Sequence, residues 1–118
     1  MSTANGFTVK THFAGNAVVV LQIYEALLKR VREFGPVIED PKKTSIHLVN
    51  KTAFAGVATR RSAIVLTIKS DRDLRSARIH KSEQTSARRF HHEVKLTTLA
   101  EVDAELIAWL KEGYALSG

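Results

Sequence analysis

The side chains with the most chemical capacity lie in the middle of the chain. His91-His92-Glu93 sets two imidazoles beside a carboxylate. Both residue types serve as general acids and bases. Neighbouring residues on a strand point to opposite faces. His91, Glu93 and Lys95 therefore share one face, and His92 takes the apolar one. This makes His91 and Glu93 the acid–base candidates and His92 a hydrogen-bonded core histidine. It also keeps the two imidazoles from sharing a metal ion. No second catalytic group matched to them is identifiable in the sequence.

The second group is cationic. Lys69, Arg72, Arg75, Arg78, Lys81, Arg88 and Arg89 crowd into one stretch, and Arg60-Arg61 precedes it at the tip of a hairpin. Guanidinium offers a planar donor fork that suits phosphate and carboxylate. Arg72, Arg75, Arg78 and Lys81 recur every third residue and on a 3-10 segment would project to one side. This set is the candidate anion- or nucleic-acid-binding surface. The alternatives are equally physical: pairing with Asp71, Asp73 and Glu83, plain solvation, or, for Arg60-Arg61, guarding a sheet edge. Aromatic residues are nearly absent from the stretch, which argues against reading single strands by base stacking.

There is no cysteine, hence no disulfide, thiolate metal site or cysteine nucleophile. No Gly-rich phosphate loop, HExxH, GxSxG or dinucleotide fingerprint occurs. Nothing calls for a metal or a cofactor.

The elements that position these groups follow from periodicity. Val20, Ile23, Tyr24, Leu27, Leu28, Val31 and Phe34 form one stripe at helical spacing, with Asn16 as the expected N-cap and Gly35-Pro36 as the stop. Short alternating runs follow. Val37 to Asp40, Ser45 to Val49, Thr52 to Thr59 and Ala63 to Ile68 read as strands of an antiparallel meander, turning at Asn50-Lys51 and Arg60-Arg61. Gly56 inside its strand marks a bulge or a close backbone approach. Residues 69–89 carry no apolar period and read as a long functional loop, pinned by Leu74 and Ile79. Phe90 to Thr97 alternates again. Thr98 to Glu101 has the form of a capping box, opening a final helix with Leu99, Val102, Leu106, Trp109 and Leu110 inward.

The order α-β-β-β-β-loop-β-α excludes a parallel α/β fold. It predicts an α+β domain: a five-stranded, mainly antiparallel sheet with two amphipathic helices on one face. The other face, with His47, His91 and Lys95, is then open to a ligand or a protein partner. Residues 1–15 read as a partly ordered lead-in and 16–118 as one domain, a size that sustains a single core.

Charge sharpens the functional expectation. The chain carries +6 net. Between Lys42 and Lys95 stand 13 Lys/Arg against 4 acids, while the flanks are mildly acidic. Such asymmetry favours an anionic partner. The longest apolar run, Ala17 to Leu21, is too short to span a bilayer, and the N-terminus lacks a basic n-region with an apolar stretch behind it. The expected location is cytoplasmic, away from membranes.

Several segments together resemble a known family. Pro41-Lys42-Lys43-Thr44-Ser45-Ile46, Phe54-Ala55-Gly56-Val57 with Arg60, Arg89-Phe90-His91-His92-Glu93-Val94-Lys95-Leu96, and Val102-Asp103 through Leu106, Trp109, Leu110 and Tyr114 are similar, in this order, to the bacterial family catalogued as domain of unknown function 5655. The resemblance runs from about His12 onward. It implies a small α+β domain that also occurs inside larger bacterial proteins, some with nuclease-like partners. It implies no activity and no catalytic residue. The expected function is therefore a non-catalytic module binding nucleic acid or another phosphate-bearing anion. The alternatives are a protein- or small-ligand-binding module on the open face, and an enzyme built on His91 and Glu93.

Overall fold

The computed structural model describes residues 7–118; the first six residues of the expected lead-in lie outside this range. Two helices, α1 (Val18–Val31) and α2 (Ala104–Leu116), accompany six strands: β1 (Ile38–Pro41), β2 (Ile46–Val49), β3 (Ala53–Thr59), β4 (Ile64–Ser70), β5 (Ile79–Ser86) and β6 (Arg89–Leu96). Short 3-10 turns lie at Lys10–Phe13 and Leu99–Glu101. The strands form one sheet in the order β1-β2-β3-β4-β6-β5, every neighbouring pair antiparallel.

The α+β class, the two helices and the antiparallel sheet match expectation; the strand count does not. The stretch read as a loop contains β5, which pairs with β6 along the sheet edge. Its sequence hides it. Ile79 is half-buried and every other residue from His80 to Ser86 is exposed. A strand with no buried face has no alternation to read. Its polar side chains also suit an edge that must not recruit other strands. At the opposite edge, Pro41 closes β1, where a missing amide is tolerated.

One sheet face carries the core. Ile46, Leu48, Val57, Ile64, Leu66, Ile68, Val94 and Leu96 are buried against Val20, Ile23, Leu27 and Val31 of α1 and Leu106 and Leu110 of α2. β3 breaks the alternation at Phe54 and Ala55, which are both buried. The register explains this. Leu48 pairs with Ala55 but Val49 pairs with Ala53, leaving Phe54 as the extra residue of a bulge. The irregularity thus falls at Phe54 rather than Gly56. It turns the Phe54 ring into the core, edge-on to Tyr114 at 5.3 Å.

Both helix starts differ from expectation. Ala17 stands at the N-cap of α1, and the Asn16 side chain instead donates to the His12 carbonyl at 3.0 Å. Glu101 reaches back to the Thr98 amide at 3.0 Å, but that capping opens only the 3-10 turn. α2 begins after Asp103, whose Oδ1 accepts from the Leu106 amide at 3.1 Å. Leu99 therefore stays outside the helix and is exposed.

α2 lies unusually close to the sheet at Gly113. A Cβ there would stand 2.7 Å from the Lys69 carbonyl oxygen and 3.4 Å from that of Phe54. Only a residue without a side chain permits this approach. It fixes the inner ends of β3 and β4 under the helix.

Candidate functional site on the open sheet face

Among the described residues no helix covers the opposite sheet face, and its cross-strand partners can be read from the register. His47 faces Gly56, Gly56 faces Thr67, and Thr67 faces Glu93. In the next rows Ala58 faces Val65 and Lys69 faces His91. Large groups on β2, β4 and β6 thus flank small ones on β3. The result is a depression of about 240 Å³, floored by Ala53, Gly56 and Ala58 and walled by Ser45, His47, Thr67, Lys69 and His91. Gly56 is not there for its backbone. A Cβ would meet His47 at 3.9 Å and Thr67 at 4.0 Å, which is ordinary contact. The missing side chain is what leaves the space.

Lys69 supplies the charge at the rim. Its Nζ donates to Ser117 Oγ at 2.8 Å and to Thr52 Oγ1 at 3.2 Å. An ammonium has three donors, so one remains. No carboxylate neutralises this group among the described residues. Partial burial, assisted by the positive charge of Arg89, pulls its pKa below the ordinary lysine value. His47 and His91 flank it, and their imidazoles make no hydrogen bond to protein among the described residues.

His92 behaves as the strand alternation requires. It is fully buried, stacked on Phe90 at 5.8 Å. Ser82 Oγ lies 2.7 Å from Nδ1 and the Arg72 carbonyl 3.0 Å from Nε2. The Leu74 amide also points at Nε2, from 3.3 Å, so both ring nitrogens are engaged by the serine and by the backbone of the β4–β5 connection. His92 therefore ties β5 and the β4–β5 connection to the sheet. It does no chemistry at the open face.

The arginines of the predicted loop do not converge. Arg72 forks onto Glu112 of α2, with its shortest contact 2.9 Å. Arg75 pairs with Asp73 at 2.8 Å. Arg78 reaches Asp103 at 2.8 Å and Glu105 at 3.2 Å, donates to the Glu101 carbonyl, and lies 5.9 Å from the Trp109 ring centroid. Arg72 and Arg78 are struts between the connection and α2, Arg75 pairs within the connection itself, and the threefold spacing reflects no helix. Lys81 sits on β5 opposite Glu93, and Arg88 and Arg89 lie at the β5–β6 turn. None of these three has an ion pair among the described residues.

Nor do His91 and Glu93 form a couple. Glu93 Oε1 lies 3.2 Å from Nε2 of His80, the residue bulged out of β5. His80 escaped sequence reasoning because its strand did. Lys95, expected beside His47 and His91, lines a separate hollow with Arg60, Arg61 and His80. Among the described residues no group of three potential metal ligands gathers, and no helix is long and apolar enough to cross a membrane.

Fold and site together define a small α+β domain with helices over one sheet face and a cation-rimmed depression on the other. Residues 9–117 match the family described as domain of unknown function (DUF5655), and the chain belongs to it. Comparison with curated proteins and with solved structures finds no match.

Proposed function

We propose that this domain is a non-catalytic binding module that holds a small anionic ligand in the depression on the open sheet face. Lys69 carries the reading. It is an ammonium held in place by two hydroxyls, with a donor to spare and no carboxylate partner among the described residues. The flanking imidazoles of His47 and His91 supply further polar contacts, and the small β3 residues accept an apolar body. Pockets of this construction, mostly apolar with a few placed polar groups, suit small organic ligands. Binding an anion restores the charged state that burial disfavours at Lys69. Affinity therefore falls as pH rises through the depressed lysine pKa.

The anion-binding role expected from the charge asymmetry thus passes from the arginines of the 69–89 segment to Lys69 on the open face. Arg72, Arg75 and Arg78 no longer support a nucleic-acid contact, because their guanidinium groups are occupied by carboxylates.

The test is a screen of small aromatic and aliphatic carboxylates against their neutral amides, followed by amide chemical shifts. Carboxylates are expected to move the signals of Gly56, Thr67, Lys69 and His91, and the amides to leave them still. Gly56→Val should abolish the response while the fold persists. Silence from every carboxylate at about 10 mM, where even weak ligands register, overturns the reading.

A further inference from the structure

The far end of the open face holds a second and larger hollow, of about 780 Å³, between the β3–β4 turn and the start of β5. Arg60 and Arg61 enter it from the turn, Lys95 from β6 and His80 from β5. The turn is anchored on both sides. The Arg60 amide donates to the Ala63 carbonyl at 2.8 Å, and the Ala17 amide before α1 donates to the Arg61 carbonyl at 2.7 Å. The two arginines therefore leave a fixed backbone.

The charge balance of this hollow is one-sided. The Arg60 guanidinium donates only to the Thr59 carbonyl, and neither Arg61 nor Lys95 has an ion pair among the described residues. The nearby carboxylates are already engaged. Glu93 meets His80, Asp103 and Glu105 hold Arg78, and Glu101 accepts from the Thr97 and Thr98 amides at 2.7 Å and 3.0 Å. Those amides outweigh the burial that would otherwise raise the Glu101 pKa and hold it low, so this carboxylate stays committed to its turn. Among the described residues, three cations without an ion pair thus face one space, whose single lining carboxylate, Glu101, is held by backbone amides at its edge.

We infer that this hollow binds a linear oligophosphate, with Arg60, Arg61 and Lys95 each meeting a phosphoryl group. Guanidinium forks match phosphate oxygens in pairs, and a lysine adds a point charge. The size of the hollow suits several linked phosphates. Among the described residues no Phe, Tyr or Trp ring lines it. Without a stacking platform the site favours a phosphate chain over a single-stranded nucleic acid. It is separate from the Lys69 depression, and the two fail or stand independently.

The experiment is a calorimetric titration of the full chain with tripolyphosphate at about 50 mM salt, repeated at higher salt, where release of condensed counterions weakens such binding. Amide shifts are expected at Arg60, Arg61, His80 and Lys95. Orthophosphate should bind more weakly. The double variant Arg60→Ala, Arg61→Ala should lose at least about tenfold in affinity, the scale of one lost charge-assisted hydrogen bond. Both side chains are exposed, so its melting curve should match that of the parent. Gly56→Val, which fills the other depression, should bind tripolyphosphate normally. Absent saturable binding at low salt, an unaffected double variant, or shifts centred elsewhere would each overturn the assignment. So would a short DNA duplex that binds more tightly than tripolyphosphate and spreads its shifts over Lys81, Arg88 and Arg89, because that pattern describes a nucleic-acid surface.

Discussion

The two faces of this sheet are made by the same strands and obey opposite packing rules. On the helix-covered face, Ile, Leu and Val from β2, β3, β4 and β6 interlock with α1 and α2, and Gly113 lets α2 approach to backbone contact. On the other face the central strand offers Gly and Ala where its neighbours offer His, Thr and Lys. A glycine serves both faces, but to different ends. Gly113 removes a side chain so that the protein can fill the space itself, whereas Gly56 removes one and leaves the space empty. Stability and binding capacity are thereby assigned to different sides of one element. Substitutions on the two sides should separate cleanly.

The largest effect is expected at Trp109, which is buried in α2 beneath Arg78. Trp109→Ala should cost about 3–5 kcal/mol in denaturant melts. A loss under about 1 kcal/mol would show that α2 contributes little to the covered face. Next comes Gly113→Ala. The added methyl meets backbone carbonyls that cannot step aside, so about 1–3 kcal/mol should be lost despite the better helix propensity of alanine. A neutral result would mean that helix and sheet part easily.

Arg78→Met is expected to cost about 1–2 kcal/mol at neutral pH, since the carboxylates it meets are substantially exposed and the pair is screened. Its pH dependence is the sharper readout. The Arg78 guanidinium, helped by the Leu106 amide, holds the Asp103 carboxyl below its ordinary range. A carboxyl depressed in the folded state stabilises above its unfolded pKa. That contribution fades as pH falls below about 4 and through the folded value. The gap between parent and variant should therefore close in acid. A gap that stays constant with pH would assign the role of Arg78 to packing on Trp109.

The smallest effect belongs to the open face. Gly56→Val should leave stability within about 1 kcal/mol, with a gain the expected sign, because valine suits a strand better than glycine. A large loss would mean that the depression is not free space.

What the sequence made legible tracks how far each signal reaches along the chain. α1, α2, β2 to β4 and β6 announce themselves because one side of each is buried and the apolar residues recur at the matching period, whereas β1, with Ile38 exposed and only Pro41 buried, shows itself as a brief run before the proline. β5 does not, since only Ile79 among its residues is even half-buried. The distribution of free charge was equally hidden. Arg72 meets a glutamate 40 residues away and Arg78 meets acids 25 and 27 residues away, so no local window shows that these cations are spoken for. The site was half visible. His47 and His91 follow from strand alternation and Lys69 from its charge, but only the register brings them around Gly56. Lys95 belongs on the same face and yet to a different hollow, a separation that depends on lateral position within the sheet.

The carbonyl of Ser117 receives the Lys51 and Thr52 amides at 2.9 Å and 3.0 Å, and its hydroxyl receives the Lys69 ammonium. The last turn of α2 is thus a clasp joining the β2–β3 hairpin tip to the rim of the depression. Fraying of that turn releases all three contacts together, so amide exchange at Lys51 and Thr52 should slow in concert when the rim is occupied. Occupancy of the sheet face then becomes measurable at the end of the helix on the other side.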